Sequence, residues 1–323
     1  MTKTPYKAVT IGGNPIDILN IEVSNGHKQT CARCSIETDD ITGVNLNQEI
    51  LVDIGYVGNH GQIFKGYVDE ISETRMPGTY SIEGRDILKK AIEHFIVSAD
   101  IEVPWCRSHI TAEGLVEDLL NEAQIYAYNG DVTHFTFGIQ CPAEFNLMSS
   151  WDAISQICNI LAYNCFAVTG TVYFTRVFPI PSGAPTANFT VGNAGNILTI
   201  KYNYNTENLR NRVVVFGYGG IYAERKVASP YLPVDFYKTA IVSSELIEQQ
   251  SMADDSAQYN LQLYNKLTES LHIDAEGDHT VKCRDTVSVT EPFTGMSADH
   301  WFVFSINHRI DDAGYTMSMS LSR

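Results

Sequence analysis

Basic residues are scarce in this sequence. Its 323 residues include 22 Lys and Arg against 38 Asp and Glu, which gives a net charge of −16. Proteins that grip nucleic acid or anionic lipid need clustered Lys and Arg, so this deficit argues against both classes. The excess of acids still permits a protein that lets DNA pass without adhering to it, although solubility alone explains the charge equally well.

Long apolar runs are absent as well. The opening residues, MTKTPYKAVTIGG, have none of the apolar core of a secretory signal. The longest uncharged stretch, residues 153–175, is interrupted by Gln156, Asn159 and Asn164, and it predicts a buried helix followed by a strand. The seven cysteines are odd in number and scattered, which predicts reduced thiols in a cytosolic assembly compartment.

Common catalytic motifs are missing too. The chain has no G-x-S-x-G and no H-E-x-x-H, and the glycines of residues 216–221 lack the Lys-Ser or Lys-Thr of a phosphate-binding loop. Adjacent carboxylates could serve a glycosidase, but such pairs usually lie on solvated turns: Asp39-Asp40, Asp69-Glu70, Asp254-Asp255 and Asp311-Asp312. We therefore expect no catalytic residues, no cofactor and no enzymatic activity.

Cys31 and Cys34, with His27 nearby, have the ligand types of a zinc half-site. A closed site needs a fourth ligand, and Cys158 and Cys165 do not form a second close pair. A spacing of three along one strand would also place Cys31 and Cys34 on opposite faces. The sequence therefore favours two small strand residues over metal ligands.

A locally basic segment, residues 201–226, mixes arginine and lysine with tyrosine; its members include Lys201, Tyr202, Tyr204, Arg210, Arg212, Tyr218, Tyr222, Arg225 and Lys226. Such mixing can stack single-stranded bases. The aromatics lie in strand-like stretches, where they would serve equally well as core or subunit contacts. We favour the structural interpretation.

Strand patterns occupy both ends of the chain. Residues 6–82 predict short strands, with Asn25-Gly26 as a hairpin turn, and their spacing is typical of a small sandwich or barrel. Further strands are predicted at residues 197–204, 212–218, 280–283, 286–289, 301–308 and 315–321.

Helical periodicity lies between these blocks. Helices are predicted over residues 87–96, after a Thr111 cap, after a capping box at Ser149 and Asp152, and over residues 252–270. Residues 166–174 predict a hairpin with Gly170 at its turn, and the prolines of residues 179–185 predict a linker.

Two stretches together resemble a known family. The first is QIFKGYVD (62–69), followed by YSIEGRD (80–86) and an amphipathic helix; the second is WFVFSINH (301–308), followed by DDAG (311–314) and an alternating strand. In this order they resemble the baseplate hub of contractile-tailed phages, the late control protein D-like or Mu-like tail hub family. The positions that carry the signature are Phe64, Gly66, Gly84, Asp86, Trp301, His308 and Gly314.

The resemblance implies an α+β, mainly β fold with two tail-tube-like β-barrel domains and helix-containing insertions. It assigns the first barrel to residues 1–88 and a helix-containing insertion domain to residues 89–189. The second barrel would comprise residues 190–222 and 275–323, with a helical insertion at 223–274. Gly66 and Gly84 would form turns or bulges at barrel corners.

The resemblance also implies a structural protein without enzymatic activity. Three chains would form a ring that joins the six-fold tail tube to the three-fold central spike and lines the DNA channel. Expected partners are the spike, the tube or tube-initiator protein, the tape measure and baseplate wedge proteins, while DNA passes without specific binding. The expected location is the virion tail baseplate, assembled in the host cytoplasm and without membrane insertion.

Two other functions remain open at this stage. The chain could be a tail-associated enzyme that cuts cell-wall glycan or peptide. It could also be a receptor- or glycan-binding tail module, with Trp105 or tyrosine side chains as contacts.

Overall fold

The computed structural model describes residues 3–27, 29–74, 78–97, 105–176, 184–192, 195–204, 206–207, 209–230, 232–233, 235–265, 269–292 and 295–323. Strands dominate it, and the described ranges contain four α-helices, so the expected α+β, mainly β class is confirmed. Most of the predicted linker, residues 179–183, lies outside these ranges. None of the described helices is both long and apolar enough to cross a membrane.

The first 86 residues form seven strands, β1 to β7: Pro5–Ile11, Asn14–Ile16, Asn20–Gly26, Arg33–Thr38, Glu49–Tyr56, Asn59–Thr74 and Thr79–Asp86. Their apolar residues recur with period two, as in β5, where Ile50, Val52 and Ile54 are buried. The predicted turn at Asn25-Gly26 is wrong. Both residues instead end β3, where they pair with β-structure from the C-terminal end of the chain.

The described part of residues 89–176 forms three helices and nine short strands. The helices are α1 (Lys89–Glu93), α2 (Ala112–Glu122) and α3 (Ser150–Leu161). The strands β8 to β16 are Phe95–Ile96, Trp105–Arg107, Ile110–Thr111, Tyr128–Gly130, Thr136–Phe137, Ala143–Phe145, Met148–Ser149, Tyr163–Val168 and Thr171–Arg176.

Both predicted helix caps are confirmed. The Thr111 hydroxyl accepts a hydrogen bond from the Gly114 amide, and the Ser149 hydroxyl accepts one from the Asp152 amide at 3.0 Å. The predicted hairpin is also present, with Gly170 at a φ of +92° between β15 and β16. The helix predicted over residues 87–96 is much shorter, because Phe95 and Ile96 pair with β14.

The remaining strands, β17 to β25, are Asn188–Thr190, Ile197–Tyr204, Arg212–Phe216, Tyr222–Lys226, Thr239–Ser243, Glu269–Glu276, Thr286–Glu291, Met296–Asp311 and Gly314–Ser322. The helix α4 spans Gln250–Tyr264 and a 3-10 turn spans Tyr218–Gly220. Residues 280–283, predicted as a strand, form turn and irregular structure instead.

One sheet of 13 strands runs through both ends of the chain. Its main path is β18-β22-β25-β24-β3-β4-β7-β6-β5-β1-β2, with β23 also paired to β24 and β17 paired to β23. The junction lies between β24 and β3, which pair antiparallel from Ser305 opposite Gly26 to Ile310 opposite Ile21. We call β1–β7 the first β unit, and the strands β17, β18 and β22–β25 of the same sheet the second β unit. The two β units therefore share a continuous hydrogen-bonded surface.

Two elements differ from the expected domain boundaries. Strand β19, expected in the second barrel, pairs with β20 and β21 in a separate three-stranded sheet. Strand β22, expected within the 223–274 insertion for most of its length, joins the large sheet by pairing with β18 and β25. Local propensity predicts where a strand forms. It does not predict which strands pair, because the partners of β19 and β22 include strands that are distant in sequence.

The described residues form three hydrophobic cores. One lies under β1–β7, and a second lies under the C-terminal strands around Phe189 and Trp301. The third joins the two expected insertions, because Leu115 and Ile157 of the first pack in the same cluster as Ile247 and Ala257 of the second. These two insertions thus form a single packed unit beside the large sheet.

Candidate functional site: the polar face of the large sheet

The large sheet presents one face to the cores and a polar face on the other side. In β25, Met317, Met319 and Leu321 are buried, while the intervening Ser318 and Ser320 are half-buried. Directly opposed residues of neighbouring strands share a face of the sheet. The register of each strand pair therefore identifies which polar side chains meet across strands.

Acidic residues concentrate on this face in the first β unit. A transverse row crosses five strands, with successive members opposite one another: Arg309, Glu22, Ser35, Glu83 and Glu70. The next row places Asn20 opposite Glu37 and Glu37 opposite Ser81. We call Glu22, Glu37, Glu70 and Glu83 the acidic face.

Neutral groups satisfy several of these carboxylates. The Ser35 hydroxyl donates to Glu83 at 2.6 Å, the Asn20 amide donates to Glu37 at 2.6 Å, and the Asn307 amide donates to Glu22 at 2.8 Å. Neutral donors hold carboxylates in place without cancelling their charge. These carboxylates are therefore ordered and keep their negative charge, which repels phosphate.

The same face continues into the C-terminal strands. There Asp274 accepts hydrogen bonds from the hydroxyls of Ser318 at 2.6 Å and Thr199 at 2.5 Å. These two bonds lower the pKa of the Asp274 carboxyl below its usual range, so it stays ionised at neutral pH.

An ion-pair cluster borders the acidic face. Asp69, at a bulge in β6, pairs with the Arg85 guanidinium and with the Lys89 ammonium at 2.5 Å. Burial raises the pKa of Asp69, but the hydrogen bonds from Arg85 and Lys89 outweigh it and the net shift is downward. Lys89 is buried and also donates to Asn47, so the cluster joins α1 to β6.

The glycines of the signature lie where strands approach closely. A Cβ on Gly66 would lie 2.2 Å from the Arg85 carbonyl oxygen, and one on Gly84 would lie 2.5 Å from the Ile50 methyl. Neither position leaves room for a side chain. Phe64 is buried in the first core beside them, and a Gly66 Cβ would also meet its ring.

Asp86 lies at the end of β7, where the first β unit meets the insertion unit. Its carboxylate accepts hydrogen bonds from the amides of Ala32 at 2.7 Å and Leu88 at 2.9 Å. Burial raises the pKa of Asp86 to about 7 despite these bonds. Asp86 is thus a buried structural carboxyl that fixes the start of α1.

Arg284 lies near Asp86, and no motif in the sequence marked it as a residue of interest. Burial lowers the pKa of its guanidinium, whose centre lies 3.7 Å from the ring centroid of Phe166 in the insertion unit. Its φ of +81° is left-handed, a conformation that a non-glycine residue adopts only under local constraint. Arg284 therefore joins the second β unit to the insertion unit.

The C-terminal signature residues have structural positions. Trp301 is buried in the second core, and His308 is buried at the junction of β24 with β3. Gly314 closes the turn between β24 and β25 with a φ of +123°. The seven signature residues thus do not converge on one site, and their role as family markers stays a prediction.

Cys31 and Cys34 are both buried, but only Cys34 lies in a strand, as predicted: Cys31 precedes β4 and packs in the core of the insertion unit. Burial raises the pKa of the Cys31 thiol to about 12 and that of Cys34 higher still. Within the described ranges, no three His, Cys, Asp or Glu side chains converge as metal ligands. These environments suit small core residues.

The basic segment is divided among three strands. Arg212 pairs with Glu224 at 3.2 Å, and Arg225 pairs with Asp254 at 3.5 Å, so much of its charge is compensated. Trp105, the expected glycan contact, is half-buried under Arg107 and donates to Glu122 at 2.9 Å.

Comparison by sequence matches no protein-family model and no curated protein. Comparison with solved structures establishes the fold. A tail protein of Neisseria meningitidis MC58 superposes with a TM-score of 0.76 at 14% identity, covering 99% of this chain and 97% of that one. The chain has a phage tail protein fold. The 43 kDa tail protein of prophage MuSo2 from Shewanella oneidensis gives a TM-score of 0.76 at 15% identity, covering 99% and 98%.

This tail fold extends to secretion systems. An E. coli component of the type VI secretion system, described as structurally similar to the T4 bacteriophage tail proteins gp27 and gp5, gives a TM-score of 0.62 at 8% identity. The match covers 97% of this chain and 76% of that one. The hub-like resemblance expected from the two sequence stretches is thus confirmed at the level of fold.

Proposed function

We propose that this protein is a structural baseplate hub of a contractile tail, a trimeric ring that joins the six-fold tube to the three-fold central spike. The observation that carries the proposal is the tail-protein fold, shared over 97–99% of both chains with two tail proteins. A match of whole chain to whole chain supports a role carried by the entire molecule. The similarity is not confined to a single domain of either chain.

We also propose that the polar face of the large sheet lines the DNA channel. This face is continuous across both β units, and its acids are held by neutral donors, so it would repel the phosphates of passing DNA. Specific nucleic-acid binding is not part of the proposal.

The proposed partners follow from this position. They are two further copies of this chain, the central spike below, and the tube or tube-initiator protein above, with tape measure and wedge proteins as neighbours. The similarity of one structural neighbour to gp27 and gp5 supports a role at this point of a tail. The proposed location is the virion tail baseplate, and the proposed role is structural and not catalytic.

Light scattering on the purified chain, alone and with its spike protein, tests the ring. We expect a mass three times that of the 35.9 kDa chain, either alone or on addition of the spike. A chain that stays monomeric at high concentration and does not bind the spike would contradict the proposal.

A further inference from the structure

The small sheet of the insertion unit has an open edge. Its strand order is β20-β19-β21, and β21 pairs on one side only, in parallel with β19. In the part of the chain that the structure describes, no strand pairs with its other side. An open strand edge presents backbone N–H and C=O groups that can accept a further strand.

A groove runs along this open edge. One cavity of about 430 Å³ lies between β21, at Ile241 to Ser244, and helix α3, at Gln156 and Asn159. A second cavity of about 470 Å³ begins at Ala240 and shares Asn159 with the first. Asn260 and Tyr264 of α4 line both cavities as well. We call this space the β21 groove.

The dimensions and the walls of the groove suit an extended peptide. At about 3.3 Å per residue, the five residues of β21 present an edge of about 17 Å, along which a short added strand can pair. Gln156 and Asn159 of α3 are exposed on the opposite wall, and their side-chain amides can both donate and accept hydrogen bonds.

Arg210, at one end of the groove, has no counter-ion among the described residues. Arg210, half-buried, lines the larger cavity, and its guanidinium donates to the carbonyls of Glu207 at 2.8 Å and Leu209 at 2.9 Å. No described carboxylate forms an ion pair with it, whereas Arg212 and Arg225 each have one. In a chain with a net charge of −16, such a cation is complementary to a carboxylate supplied by a ligand.

We infer that the β21 groove binds an extended, acidic segment of a partner protein, which adds a strand to β21 and places a carboxylate at Arg210. Backbone pairing with the edge would supply affinity, and the carboxylate would fix the register. The inference goes beyond the proposed hub role and does not depend on it.

Methyl NMR on the full-length chain, labelled at the isoleucine δ1 methyls, tests this binding. The probe is an end-blocked Thr-Val-Thr-Val-Asp peptide, with Thr-Val-Thr-Val-Asn as its uncharged match. Ile241 and Ile160 line the groove and report on it, while Ile54, in the first β core, reports on the rest of the molecule. We expect shifts at Ile241 and Ile160 only, with at least ten-fold weaker binding of the Asn peptide.

Three variants localise the effect. Asn159→Trp fills the groove from an exposed helix position, and Arg210→Gln removes the charge; each is expected to weaken binding of the Asp peptide at least ten-fold. Glu117→Trp, on the exposed side of α2, is the matched control and is expected to leave binding unchanged. Equal binding of the two peptides, or no shift at Ile241, would overturn the inference.

A second copy of this chain is the competing occupant. If Asn159→Trp lowers the self-associated mass in light scattering while the Asp peptide gives no shift at Ile241, the groove is a self-association surface. The inferred partner segment would then be wrong. The hub proposal would stand, because a trimeric ring also requires contacts between copies of this chain.

Discussion

At the scale of single residues, His308 shows how burial fixes the chemistry of a side chain. Its Nε2 lies 3.3 Å from the Val281 carbonyl oxygen, which can only accept, so Nε2 carries the hydrogen. Nδ1 then accepts from the Tyr315 hydroxyl at 2.9 Å. Burial lowers the pKa of His308 to about 4, so the imidazole is neutral in the folded protein.

His308 should make the fold acid-sensitive. An unfolded histidine titrates near 6.5, so the unfolded state binds the proton first and stability is lost as pH falls from about 6.5 to about 4. The full loss is about 3 kcal/mol. Urea unfolding of the wild type and His308→Gln at pH 7.5 and 4.5 measures it, and the variant should lose less stability between these two values.

Asp86 acts in the opposite direction over a similar range. Its pKa is raised to about 7, so the stability it contributes is complete below the unfolded value near 4 and is lost as pH rises to 7. Because both His308→Gln and the wild type contain Asp86, the contribution of Asp86 cancels when their pH dependences are compared. Equal pH dependence in both proteins would contradict the neutral, buried imidazole.

Gly66 should not tolerate a methyl group. Because the new Cβ would lie 2.2 Å from the Arg85 carbonyl oxygen, Gly66→Ala should lower the free energy of unfolding by about 1–3 kcal/mol in a urea titration. Gly114→Ala, within α2, is the control. Its Cβ would lie 3.3 Å from the Thr111 hydroxyl oxygen, a much looser contact, and helix propensity favours alanine, so the loss there should be clearly smaller than at Gly66.

At the scale of elements, local signals were predictable and long-range pairing was not. The caps at Thr111 and Ser149 and the turn at Gly170 involve residues within four positions of one another, so the sequence predicts them correctly. Asn25 and Gly26 have a strong turn signal locally, but pairing with β24 overrides it. For the same reason β19 was predicted as a strand and assigned to the wrong sheet.

The Ser149 cap gives a test at this scale. Its hydroxyl accepts from the Asp152 amide at 3.0 Å and donates to the Asp152 carboxylate at 2.7 Å, so both groups stabilise the start of α3. Ser149→Ala should lower the free energy of unfolding by about 0.5–2 kcal/mol. Thermal unfolding with Ser251→Ala, an exposed α4 residue, as the control would check it, and an equal effect of both would contradict the cap.

At the scale of the whole molecule, the acidic face is the feature that sequence alone could not locate. The net charge of −16 is evident from composition, but Glu22, Glu70 and Glu83 are far apart in sequence and meet only through strand register. The order of the two signature stretches did predict the tail fold. Nothing in the sequence indicated the open edge of β21 or the position of Arg210. Both depend on which of the described residues lie beside them in the folded chain.

Reversing the acidic face should create affinity for DNA. The triple variant Glu22→Lys, Glu70→Lys and Glu83→Lys should bind a fluorescent duplex at low salt, with affinity falling steeply as salt rises, whereas the wild type should not bind. A control of equal net charge reverses three exposed acids elsewhere: Asp39, Glu117 and Glu245. Equal binding by both triple variants would show that only net charge matters.

The central claim is that this chain surrounds the tail axis. A cryo-electron microscopy reconstruction of tail particles that contain it tests this most directly. We predict three copies at the distal end of the tube, in contact with the spike, with Glu22, Glu70 and Glu83 facing the lumen. A chain located off the axis, or a ring whose lumen is lined by the opposite surface of the sheet, would contradict the account.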